Sequence, residues 1–203
     1  MKTKPLAISV VLIALITLAG CGSAVKYPNY YTLHVPPPPD PPAPEGVHAS
    51  LAVREFRSPT YLHQGAIVYK TSPEQIGFYN YHRWAVDPRE FVTNSVADRL
   101  RASGNFTQVK PYDGRSDVDF ILTGRLERLE EVDYEGGVKV EVEISAQMTN
   151  LATGSAVWAN SVSEAGTVAH RDVPAVVSEM NRTMARAIEK LLTPPPSATI
   201  KTN

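Results

Sequence analysis

Cys21 is the only cysteine in the 203-residue chain, and it closes a short apolar run that ends in small residues. Lys2 and Lys4 precede an uncharged run from Leu6 to Ala19, and Leu18-Ala19-Gly20 places small residues beside the thiol. A thiol is a nucleophile able to form a thioether, and the small residues before it would let a peptidase reach the bond between Gly20 and Cys21. As a helix the run spans about 21 Å, short of the roughly 30 Å hydrocarbon core, so it reads as a secretory signal and not a permanent span. Residues 1–20 are therefore expected to be removed.

No second chemical centre stands out. His34, His48, His63, His82 and His170 are scattered, and no pair has the i, i+4 spacing that puts two ligands on one helix face. No metal site is expected, and a lone cysteine excludes an internal disulfide framework. Glu130-Glu131 and Glu141/Glu143 are read as solvated faces of amphipathic strands and not as a general acid/base pair. There is no G-x-S-x-G elbow, phosphate-cradling glycine loop or dinucleotide fingerprint, so the expectation is a non-enzyme. The 20 Lys+Arg against 21 Asp+Glu are dispersed, unlike the concentrated basic surface of a nucleic-acid binder. Losing residues 1–20 removes two lysines and no acid, leaving 18 basic and 21 acidic residues and a formal charge of −3. That net charge gives no reason to lie flat on anionic lipid.

Behind the leader, residues 21–47 hold Tyr30-Tyr31-Thr32-Leu33-His34-Val35, a strand-like segment, and then the proline-rich run from Val35 to Gly46. Clustered prolines favour an extended, stiff spacer. Whether Tyr30–Val35 pairs in a sheet or belongs to the tether stays open. Residues 48–193 read as the folded domain. Strands are expected at Ser50–Phe56, Ala66–Lys70, Ile76–Tyr81 and Thr107–Val109. Asp87-Pro88-Arg89-Glu90 opens a helix that Gly104 stops.

The strongest periodicity is Val138, Val140, Val142, Ile144, Ala146 and Met148 alternating with polar residues, one buried face of a strand. Phe120–Leu126 and Ala156–Val162 flank it as an antiparallel meander, with a turn at Glu135-Gly136-Gly137. Val173, Val177, Met180, Met184, Ile188 and Leu191 form one apolar helix stripe, ended by Pro194–Pro196. Residues 194–203 read as a disordered tail.

Leu18-Ala19-Gly20-Cys21 resembles the lipobox of bacterial lipoproteins, which implies cleavage between Gly20 and Cys21 and a Cys21 that carries diacylglycerol as a thioether and an N-acyl chain, with no other cofactor. One acyl chain holds a membrane only marginally, whereas two anchor stably. Gly22 after the cysteine is similar to a signal for the outer membrane of a Gram-negative cell. Pro59-Thr60-Tyr61-Leu62, Ile67-Val68-Tyr69-Lys70, Tyr81-His82-Arg83-Trp84-Ala85 and Gly124-Arg125-Leu126 follow in order. Together with the lipobox and the early Tyr30-Tyr31-Thr32-Leu33, they resemble the ABC-type transport auxiliary lipoprotein family. The resemblance covers about residues 30–192. It implies an α/β domain with a mixed, largely antiparallel sheet flanked by helices, three-layered and anticodon-binding-like.

It also implies a lipid-anchored adaptor on the periplasmic face of the outer membrane. Its partners would be an ABC transporter permease and a mammalian-cell-entry substrate-binding protein that move lipid between membranes. Homo-oligomerisation and direct phospholipid contact stay open. Tyr61, Leu62, Arg83 and Trp84 are candidates for a partner interface, because tryptophan, tyrosine and arginine dominate such contacts; ordinary packing is the competing reading. An outer-membrane lipoprotein regulating peptidoglycan synthesis or envelope assembly is the alternative function, for which the stiff spacer would set reach.

Overall fold

The computed structural model describes residues 25–36, 47–115, 117–134 and 136–200. The predicted leader, Cys21 and the proline run from residue 37 to residue 46 lie outside the described residues. Among those described, no helix is long and apolar enough to cross a membrane.

Eight strands form one sheet: β1 (Asn29–Tyr31), β2 (Val47–Val53), β3 (Ala66–Ser72), β4 (Gln75–Trp84), β5 (Phe106–Pro111), β6 (Phe120–Val132), β7 (Lys139–Asn150) and β8 (Ala156–Thr167). Two helices, α1 (Pro88–Ala102) and α2 (Val173–Leu191), complete the α/β architecture expected from sequence. The long strand β6 organises the rest. Along one edge it pairs antiparallel with β7 over its whole length, and β7 pairs with β8. Along the other edge β2 and β3 lie end to end, both parallel to β6. Beyond them the sheet branches, β5 joining β2 and β4 joining β3.

The meander and both helices follow the periodic residues. Val140, Val142, Ile144 and Met148 of β7 are buried, while the alternate positions stay at least partly wet. All six residues of the predicted α2 stripe are buried against that face. Asp87 caps α1 by accepting from the Arg89 N–H at 2.8 Å, and Asp172 caps α2 by accepting from the Ala175 N–H at 2.8 Å. Both helices join one hydrophobic cluster on the same side of the sheet. On the other side a short 3₁₀ turn, Thr60–Gln64, covers β3 and part of β6, giving three layers there and two elsewhere.

At the N-terminus the strand-like segment, whose pairing the sequence left open, joins the sheet, and at the C-terminus the chain is more ordered than the sequence suggests. β1 pairs parallel with β4, and Leu33 is buried beyond it. The following chain crosses the helices, where the His34 N–H donates to Asn181 Oδ1 at 2.9 Å. Residues 194–200, expected as tail, fold back onto β8: the Trp158 indole N–H donates to the Pro194 carbonyl at 3.2 Å, and Pro196 is buried. A buried indole needs an acceptor, and this segment provides one.

Candidate interaction surface

The segment from Arg54 to Gly65 must carry the chain from the end of β2 to the start of β3 while keeping to the edge of β6. Main-chain bonds hold its first half there, Arg57 N–H to Gly124 O at 2.9 Å and Leu126 N–H to Arg57 O at 2.8 Å. Pro59 then starts the 3₁₀ turn, and Gly65 ends it at φ 72°, a left-handed conformation that glycine adopts without strain. The Trp84 N–H donates to the Gly65 carbonyl at 2.7 Å, and the Arg83 guanidinium reaches the Gln64 carbonyl at 3.3 Å. The fold therefore brings together the Pro59–Leu62 and Tyr81–Ala85 segments that the sequence singled out.

It divides the four candidate interface residues. Leu62 and Trp84 are 1% and 6% exposed and belong to the core, the packing reading that competed with an interface. The turn tucks Leu62 beneath itself, and the β3–β4 pairing carries Trp84 inward. Tyr61 is half-buried, and only Arg83 is exposed. The cause is that indole and isobutyl groups contribute most when removed from water, and both have covered positions available.

The paired glutamates of β6 also depart from expectation. Glu130 is fully buried and Glu131 is 6% exposed, so neither lies on a solvated face. β6 is the central strand, and covering groups approach it from both sides. Glu130 Oε1 lies 3.2 Å from Lys70 Nζ, and the Tyr61 hydroxyl donates to Glu130 Oε2 at 3.5 Å. Burial, reinforced by the Glu130 charge, pushes the Tyr61 phenol up to about 12. Glu131 points to the opposite side and accepts from the Tyr79 hydroxyl at 2.8 Å. Burial raises the Glu131 carboxyl, and the same effect with that hydrogen bond raises Tyr79. Successive residues of a strand face opposite ways, so these two carboxylates diverge and do not converge on a common reacting atom.

Glu141 and Glu143 keep the expected half-exposed position, both paired with Arg128 at 3.1 Å. Among the described residues no group of three or more His, Cys, Asp or Glu is arranged to hold a metal ion.

On the side of the sheet away from the helices lies an open groove of about 620 Å³, walled by Arg54, Arg57, Thr123, Arg125, Gln147 and Ser161. Arg125 is tied to Glu127 at 2.7 Å, and Arg54 lies 4.5 Å over the Tyr112 ring. The groove can accept a polar or anionic group. Sequence reasoning missed it because Arg54 was assigned to an expected strand, Ser50–Phe56, that ends at Val53, and Arg57 lies beyond it, where no periodicity points to a shared face.

Comparison with known proteins places this arrangement. The sheet and helices are similar to those of protein XCC0632 from Xanthomonas campestris, with a TM-score of 0.70 at 18% identity, covering 81% of this chain and 92% of that one. A second crystal structure, of an uncharacterized protein, gives a TM-score of 0.63 at 15% identity, covering 83% of this chain and 98% of that one. At these identities the likeness establishes the fold alone. A search of curated proteins found no match. The model of the ABC-type transport auxiliary lipoprotein component family matches residues 31–191, from the end of β1 to the last residue of α2. The chain belongs to the ABC-type transport auxiliary lipoprotein component family.

Proposed function

We propose that this chain is the lipid-anchored, non-catalytic adaptor of an ABC transport system, held at the periplasmic face of the outer membrane. In this reading it docks a permease and a mammalian-cell-entry substrate-binding protein that move lipid between membranes, and another subunit hydrolyses ATP. The family match over residues 31–191 carries the proposal. Cys21 after a short apolar run supports the anchor, and Gly22 supports the outer membrane. The divergence of Glu130 and Glu131 supports a binding role over acid/base chemistry.

The test is to purify the tagged full chain from membranes, weigh its N-terminal peptide and identify what accompanies it. The expected result is a Cys21 peptide bearing acyl chains together with a permease and a mammalian-cell-entry protein. Co-purification with a peptidoglycan synthase and no transporter subunit would overturn it.

A further inference from the structure

We propose that the β1–β4 edge of the sheet is a seat for an anionic phospholipid surface, so that the domain stands on the bilayer in a fixed orientation. The proposal rests on the reading of Cys21 as the acylated residue. Val25, where the described chain begins, is only four positions after Cys21, and four residues reach at most about 14 Å. An acyl anchor at Cys21 therefore brings this edge, and no distant part of the domain, to the headgroups.

The edge has the composition such a position calls for. Val25, Tyr27 and Tyr30 are 74%, 79% and 64% exposed, and Tyr81 of the neighbouring strand is 40% exposed. Scattered exposed apolar residues are ordinary, but these are grouped beside the anchor. In the parallel β1–β4 register Tyr30 is opposite Arg83, so their side chains share a face, and Tyr81, two residues before Arg83, falls on that face as well. Lys26 Nζ lies 4.4 Å from the centroid of the Tyr81 ring. Tyrosine favours the membrane–water boundary because its ring is apolar and its hydroxyl is not.

Charge completes the match. Neither the stretch Val25–Pro36 nor the stretch Gln75–Val86 contains an acidic residue, although the whole chain has 21. The mature chain is net negative, yet Lys26 and Arg83 make this edge locally cationic, and local charge within a Debye length is what a headgroup senses.

The experiment places the full-length lipidated protein in vesicles of phosphatidylethanolamine and phosphatidylglycerol and modifies tyrosines with a water-soluble reagent, reading each site by mass spectrometry. Tyr134, exposed and on the β6–β7 connection, is the internal reference. Tyr27, Tyr30 and Tyr81 are expected to react several-fold more slowly, relative to Tyr134, than in detergent. Substituting K26E with R83E should abolish that protection while the acyl chains keep the protein on the vesicles. Even labelling in a vesicle-bound protein overturns the proposal and leaves the anchor intact. Protection that persists in detergent and grows with protein concentration also overturns it, in favour of a second copy. If Cys21 proves unmodified, the anchor reading fails separately; the full chain added to the same vesicles must then show the three-tyrosine protection, or the proposal falls with it.

Discussion

Glu130 and Lys70 form an ion pair in which the carboxylate is sealed from water, Oε1 3.2 Å from Nζ with side-chain exposures of 1% and 19%. The pair joins β6 to β3 beneath the 3₁₀ turn, and Tyr61 closes it from above. Removing one member of such a pair leaves the other charge uncompensated, at a cost of about 3–5 kcal/mol. Lys70 retains some contact with water, so Lys70→Met should cost about 3 kcal/mol, the low end of that range. Lys70→Met with Glu130→Gln should recover most of the loss. Urea midpoints of the single and double variants measure both. Equal destabilisation in the two would show that the loss does not come from an uncompensated Glu130 charge.

Glu131 sets a dependence on pH. Its carboxyl is raised above the ordinary 4.5, chiefly by burial, so the folded chain keeps a proton that the unfolded chain releases. The associated stability is fully present below about pH 4.5 and is lost as pH rises through the raised value. Asp119, held low by hydrogen bonds from Ser50, and Glu164, held low by Lys190, act in the opposite sense. Their contributions are present above the ordinary carboxylate range and disappear as pH falls through the depressed values. Glu131→Gln should therefore gain stability relative to the parent between pH 4 and pH 7. Denaturation curves across that range check it; a constant difference would contradict the assignment.

Gly124, in the Gly124-Arg125-Leu126 segment, is required by Phe56. A Cβ at position 124 would run into the Phe56 ring, which is 1% exposed and cannot swing out into solvent. Overpacking of this kind costs about 1–3 kcal/mol, so Gly124→Ala should be destabilised by that amount. Adding Phe56→Leu relieves the collision, and the double variant should be more stable than the sum of the single effects predicts. A double-mutant cycle by thermal or urea unfolding supplies the coupling; additivity would remove Phe56 as the reason for the glycine.

Elements with a face of their own were legible in the sequence, and groups defined by their neighbours were not. The β7 alternation and the α2 stripe from Val173 to Leu191 repeat at the period of their own backbone, so the buried face follows without knowledge of what covers it. Glu130 and Glu131 offered no such signal. Their burial comes from Tyr61 and Lys70 on one side and Tyr79 on the other, residues more than 50 positions away in sequence. The register shift between Leu126 and Arg128 further disturbs the alternation just before them. Arg54 and Arg57 escaped notice for a related reason, since the groove they line is made by β6, β7 and β8. The motif residues Pro59–Leu62 and Tyr81–Ala85 were recognisable in sequence, but it takes the pairing of Ala66 with Arg83 and the bonds of Arg83 and Trp84 to Gln64 and Gly65 to bring them together.

Arg83 and Trp84 are adjacent in sequence yet have opposite duties, which decides how the interaction surface should be tested. Replacing both at once confounds a contact with the fold, because Trp84 is packed in the core. Trp84→Ala alone should cost about 3–5 kcal/mol, the usual price for emptying a buried aromatic site. Arg83→Ala should change stability by less than about 0.5 kcal/mol, since its side chain is exposed and its guanidinium makes a 3.3 Å bond to the Gln64 carbonyl at the surface. Arg83→Ala is thus the variant that can report on docking, through co-purification and through tyrosine protection on vesicles, in a protein of unaltered unfolding midpoint. If its midpoint fell as far as that of Trp84→Ala, Arg83 would be a structural residue and the surface would have to be sought elsewhere.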